Sequence, residues 1–170
     1  MPSFNPNIED FDYIFNTIVK YGFNNSLKPI PIKVFKKLES SNEIASFVIT
    51  ISSDPDGNLV TRNPEIQLLD ISPFFIYQLI NILVHEIIHY DNYINGIGED
   101  AAKAEVYGCA LNIIKSYNKH DFFFKTKMKQ LNAAFDLDIT IKYDKDADHH
   151  LDKDKFLNID RKTKMNQKIA

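Results

Sequence analysis

Tryptophan is absent from the 170 residues, glycine occurs only five times, and cysteine only once, at Cys109. A lone cysteine excludes an intramolecular disulfide and any single-chain zinc knuckle that needs two or more thiolates. A bound metal ion must therefore be held mainly by histidines and carboxylates. An excess of positive charge is also missing: 20 Lys plus Arg stand against 23 Asp plus Glu, a formal net charge of −3. The surface as a whole then has no electrostatic pull toward a nucleic-acid backbone, and nucleic acid is not the expected partner. Long hydrophobic runs are missing too. The most apolar stretch, residues 73–84, is interrupted by Gln78 and Asn81 and is far short of the roughly 20 residues that a bilayer span requires. Met1-Pro2-Ser3-Phe4-Asn5 lacks the basic patch and apolar run of a secretory signal, so the expected location is cytoplasmic.

What is present describes one globular domain followed by a charged segment. At 44% hydrophobic and 25% charged, the chain can bury a substantial core. Phe11, Ile14, Phe15, Ile18 and Val19 recur at three and four, which predicts a helix over residues 8–21. Residues 30–35, 44–51 and 65–71 are rich in β-branched or aromatic residues and separated by turn formers, and they read as three strands of a small mixed sheet. The clearest turn is Ser53-Asp54-Pro55-Asp56-Gly57-Asn58, in a loop expected to end near Pro64. Ser72-Pro73 suits a helix start, and Ile76, Leu79, Ile80, Leu83, Ile87 and Tyr90 form one apolar stripe of a helix running to Ile94. A third helix is expected over residues 99–117, with Ala101, Glu105, Gly108 and Asn112 on one narrow face. A fourth, capped by Asp121, precedes a short strand at residues 139–143. The fold class is therefore α+β, with the domain at residues 1–143. Residues 144–170, rich in Lys and Asp, read as an extended arm or a disordered tail. Heavy use of Ile, Asn and Lys is what an AT-rich genome produces, as in some phages or low-GC bacteria.

The residues that carry chemistry are His85-Glu86-Ile87-Ile88-His89, in the middle of the apolar helix. Histidines four apart are separated by about 400° of helical rotation and about 6 Å of rise, so both imidazoles can reach one ion. Glu86, about 100° from His85, stands beside that ion, where its carboxylate can take a proton from a water. The bland alternative is a pair of ordinary histidines on an amphipathic helix. Burying two His and a Glu in a nearly all-apolar helix without a partner is costly. Catalytic zinc normally has three protein ligands, and the candidates for the third are Glu99, Asp100, Glu105 and His120. Glu105 is preferred because its small-residue face permits close approach; Glu99 is explained by the helix dipole alone, and His120 needs a folded-back loop.

His85-Glu86-x-x-His89 followed sixteen residues later by Glu105 resembles the gluzincin pattern of metallopeptidases. The expected element order is similar to the minimal-zincin domains of the SprT-like and ImmA/IrrE-like families. The resemblance spans residues 8–117. It implies Zn2+ held by His85, His89 and Glu105, with Glu86 as the general base of peptide hydrolysis on a protein or peptide substrate. It also implies that an edge strand, here Glu65-Ile66-Gln67-Leu68-Leu69, pairs with substrate. SprT-like proteins carry a third histidine where Glu105 stands. Asp91 occupies a usually apolar position, where it either orients His85 or His89 or simply faces solvent. Tyr93, Tyr107 and His120 are candidates for the oxyanion, although Tyr107 lies about 200° around its helix from Glu105. The alternative function is a non-catalytic binding or structural protein of the same fold, for example a virion component. A di-iron site, whose half-motif is Glu86-x-x-His89, needs a second copy that the sequence lacks. The acidic run from Asp144 echoes a calcium loop, but His149 stands where the turn needs glycine and Lys155 where a bidentate Glu should close it.

Overall fold

The computed structural model describes residues 3–4, 7–38, 43–70, 74–96, 103, 113–117 and 119–140. Among them are three helices and a four-stranded mixed sheet, an α+β architecture. Helix α1 (Ile8–Gly22) begins at a reciprocal capping box: Asn7 accepts from the Asp10 amide and Asp10 from the Asn7 amide, each at 2.9 Å. Its buried stripe is Phe11, Phe15 and Val19. Asn24 and Asn25, with φ near 54° and 56°, turn the chain out of the helix in the left-handed region that asparagine tolerates.

The short β1 (Ser3–Phe4) precedes α1. Strands β2 (Ile32–Phe35), β3 (Ala45–Ser53) and β4 (Leu59–Leu69) follow as the sequence implies, but the turn is tighter and β4 longer. Asp54 accepts from the Asp56 and Asn58 amides at 3.0 and 2.8 Å, and Gly57 at φ 83° closes the hairpin. Pro64 does not end a loop, because it sits inside β4 at an irregularity. Glu65 faces Val48 and Arg62 faces Thr50, so Asn63 and Pro64 oppose Ile49 alone, with Asn63 at φ 53°. A bulge is where a strand accommodates a residue without an N–H.

The sheet order is β2-β4-β3-β6, with β2 parallel to β4 and the other pairs antiparallel. Residues 66–68 of β4 are thus paired on both sides, and the strand expected at a substrate-facing edge is internal. The fourth strand, β6 (Ile113–Ser116), falls where the third helix was expected to end. Its β-branched Ile113-Ile114 pair gains more from the ladder with β3, Ile51↔Ile113 to Val48↔Ser116, than from a last helical turn. Lys103 is helical; residues 99–102 and 104–112 of that expected helix, including Glu99, Asp100, Glu105 and Tyr107, lie outside the described residues.

Helix α2 (Ile76–Asn95) starts after the two-residue β5 (Phe74–Phe75), which pairs antiparallel with β1; Phe75 is its N-cap. It is buried from Tyr77 to Asn92 except at Ile80, with Leu79, Ile82, Leu83 and Ile87 joining Phe47, Ile49, Ile66 and Leu68 in one core. No described helix is long and apolar enough to cross a membrane. Helix α3 (Phe122–Phe135) is capped by Asp121, which accepts from the Phe124 amide at 3.0 Å. Residues 137–140 form no regular strand, and residues 141–143 lie outside the described set.

Candidate metal centre

Helical period does for His85 and His89 what the sequence implies. One turn apart on α2, their Nε2 atoms stand 3.2 Å from each other. The third member is His120: its Nε2 is 3.1 Å from that of His85, and the donor atoms of all three lie within 4.8 Å of one another. Glu105, preferred for this place on sequence grounds, is outside the described residues, so His120 completes the cluster among those that are described. The folded-back loop that His120 required is present. It follows β6, whose pairing with β3, extended by the Tyr117 N–H···O=C Phe47 bond of 2.9 Å just beyond the strand, returns the chain to α2. No local sequence signal announces this, since it depends on a strand read as helix.

The cluster fits a cation better than it fits itself. The His85 Nδ1–H donates to the Thr140 carbonyl at 2.6 Å, which leaves Nε2 as a lone pair aimed at the other two rings. One in-plane lone pair cannot satisfy two neighbouring nitrogens at 3.1 and 3.2 Å. His89 Nδ1 is buried with no partner among the described residues, so any proton the ring places there is unsatisfied. Zinc–nitrogen bonds of about 2.0–2.1 Å at tetrahedral angles put ligand nitrogens about 3.3 Å apart, close to the observed spacing. Burial pushes His85 down to about 3 and His89 further, each with a neighbouring imidazole adding to the effect, and His120 is lowered too. The rings are therefore neutral and ligand-competent at neutral pH.

Phe124, fully buried, contacts all three rings with centroids 4.6–4.7 Å away and walls the cluster on the α3 side. His120 is partly exposed while His85 and His89 are buried, so solvent reaches the cluster from the His120 side.

Glu86 stands beside the cluster. Its Oε1 lies 4.0 Å from His85 Nε2, too far for a hydrogen bond. Burial pushes its carboxyl up to about 8; Glu43 adds to this, and the Phe47 backbone N–H opposes it. A cation held by the histidine cluster would also oppose it, favouring the carboxylate. Asp91 is buried and accepts from the Asn95 amide at 2.7 Å, while His85 is oriented by Thr140. The Tyr93 hydroxyl bonds Thr61 at 2.6 Å.

Compared with models of known protein families, with curated proteins and with solved structures, the chain matches none. Its own residues define a histidine cluster that could hold a metal ion, with motif spacing and a third histidine compatible with a zincin.

Proposed function

We propose that the protein is a zinc-dependent peptidase in which His85, His89 and His120 would hold the ion and Glu86 is the general base. The observation that carries this reading is the convergence of three Nε2 atoms beside a buried carboxylate. Zinc, when bound, supplies Lewis acidity, which acidifies water and polarises a carbonyl. The chain's residues supply the rest. Thr140 holds His85 in the Nε2 lone-pair tautomer, and Phe124 closes the apolar side against bulk water. The Phe47 N–H fixes the Glu86 carboxylate, which takes a proton from the attacking water and delivers it to the departing amine of a protein or peptide substrate.

Three neutral imidazoles suit zinc but also copper, iron and nickel, so the first measurement is elemental analysis of untagged protein. The expected result is about one zinc per chain. Glu86→Gln is expected to retain the metal and to lower peptide hydrolysis by about 10²–10⁴-fold, the usual range for a general base. Unchanged hydrolysis in the variant would remove Glu86 from the mechanism. A non-catalytic metal-binding protein is the second reading, favoured by the Tyr93 hydroxyl, an oxyanion candidate, being engaged with Thr61. A carboxylate suited to act as base has no use in that reading, and a metal-loaded wild type that cleaves no peptide would select it.

A further inference from the structure

Asn92 lies seven residues beyond His85 on α2, two helical turns on, and therefore on the same face as the histidine pair. It is fully buried. Its Nδ2 donates to the Tyr117 hydroxyl at 3.1 Å and to both carboxylate oxygens of Asp121, at 3.2 and 3.1 Å. These two acceptors bracket His120. The amide orientation is fixed by charge, because a flip would set Oδ1 against the Asp121 carboxylate. As it stands, Oδ1 has no partner among the described residues. It points toward Gly96, where an added Cβ would come within 2.1 Å of it. An unsatisfied buried amide oxygen is costly, and it persists here because the other end of the amide grips the segment that carries His120.

On the reading that the cluster binds metal, we infer that Asn92 is a positioning residue for the third ligand. One helix provides two ligands and also the clamp that fixes the third. Asp121 has two tasks: it caps α3 through Phe124 and receives the clamp. Phe124, the wall of the cluster, is thereby tied to the same point.

The test uses the full chain, with zinc affinity measured by chelator competition and coordination read from the visible spectrum of the cobalt-substituted protein. Asn92→Asp keeps the shape but opposes two carboxylates. It is expected to weaken zinc binding about 10–100-fold, the usual cost of losing an outer partner of a ligand, and to lower the cobalt absorption of a four-coordinate site. Adding Asp121→Asn restores a carboxylate–amide pair in reverse and keeps a good helix cap, so affinity and spectrum are expected to recover. In a His120→Ala background, Asn92→Asp is expected to cost no further affinity, because the clamp acts only through His120. An equal loss in that background, or wild-type affinity and spectrum in Asn92→Asp, would overturn the inference. Absence of zinc and cobalt binding by the wild type would instead overturn the metal reading on which it rests.

Discussion

The two halves of the candidate site are built differently. His85, Glu86 and His89 stand on a helix buried against a sheet, where backbone period alone sets their spacing. His120 and the Thr140 carbonyl stand on irregular segments, residues 119–121 and 137–140, held to that helix by side-chain hydrogen bonds from Asn92 and Asn81, and in the second case to α3 by Asn132. Damage to the first half should appear as lost folding stability. In the second half it should appear first as altered metal binding.

The largest effect is expected where the core is densest. Leu83 is fully buried on α2, and Leu83→Ala should cost about 2–5 kcal/mol by lost transfer energy plus the cavity left behind. Urea unfolding of chelator-treated protein measures this. A cost under about 1 kcal/mol would mean that α2 is not the rigid half.

The ionisable groups of that rigid half set a pH dependence for the metal-free protein. His85 and His89 have folded pKa values far below their ordinary 6.5. Below that pH the unfolded chain takes up protons that the folded chain refuses, and stability falls with falling pH by up to about 1.4 kcal/mol per unit for each imidazole. Glu86 acts with opposite sign, since its folded value is raised from 4.5 to about 8. Its contribution is complete below pH 4.5 and is lost as pH rises through 8. Between 4.5 and 6.5 these two imidazoles, with His120 acting in the same direction, outweigh one carboxyl; well above 6.5 the carboxyl acts alone. Maximum stability of chelated protein is therefore expected near about pH 6.5, and a flat profile between pH 5 and 8 would contradict the burial of these groups.

The same division explains what the sequence disclosed. Helices α1, α2 and α3 and strand β3 announce themselves by residue pattern, α3 also by its cap Asp121, and the His85–Glu86–His89 constellation is a local pattern on one of them. What was hidden depends on contacts distant in sequence. Pro64 signals an ending until Asn63 is seen to absorb the bulge opposite Ile49. Ile113-Ile114 continues a helical period until β3 offers it a ladder more than sixty residues back. Glu65–Leu69 reads as an edge until β2 is found parallel to it. His120 follows from the second of these errors, because only a strand at residues 113–116 brings it beside α2.

The smallest effect is expected at the second irregular segment, and it tests the division most finely. The Asn132 side chain on α3 donates to the Ile139 carbonyl at 3.0 Å and accepts from its amide at 2.8 Å, imitating a strand partner for a residue that has none. Asn81 on α2 accepts from the next amide back, that of Asp138, at 3.1 Å. Together they present the Thr140 carbonyl to His85. Asn132→Ala removes two bonds from a partly buried segment where water can substitute in part, so the expected cost is about 1–2 kcal/mol. If the two halves differ as described, this variant should weaken zinc binding by more than Leu83→Ala does, although it destabilises the fold less. Loosening Thr140 frees the His85 ring to rotate and to change tautomer, whereas a cavity beneath α2 leaves the helical spacing of His85 and His89 intact. Chelator competition on the two variants side by side decides the point, and equal affinities would mean that the helix alone holds the site.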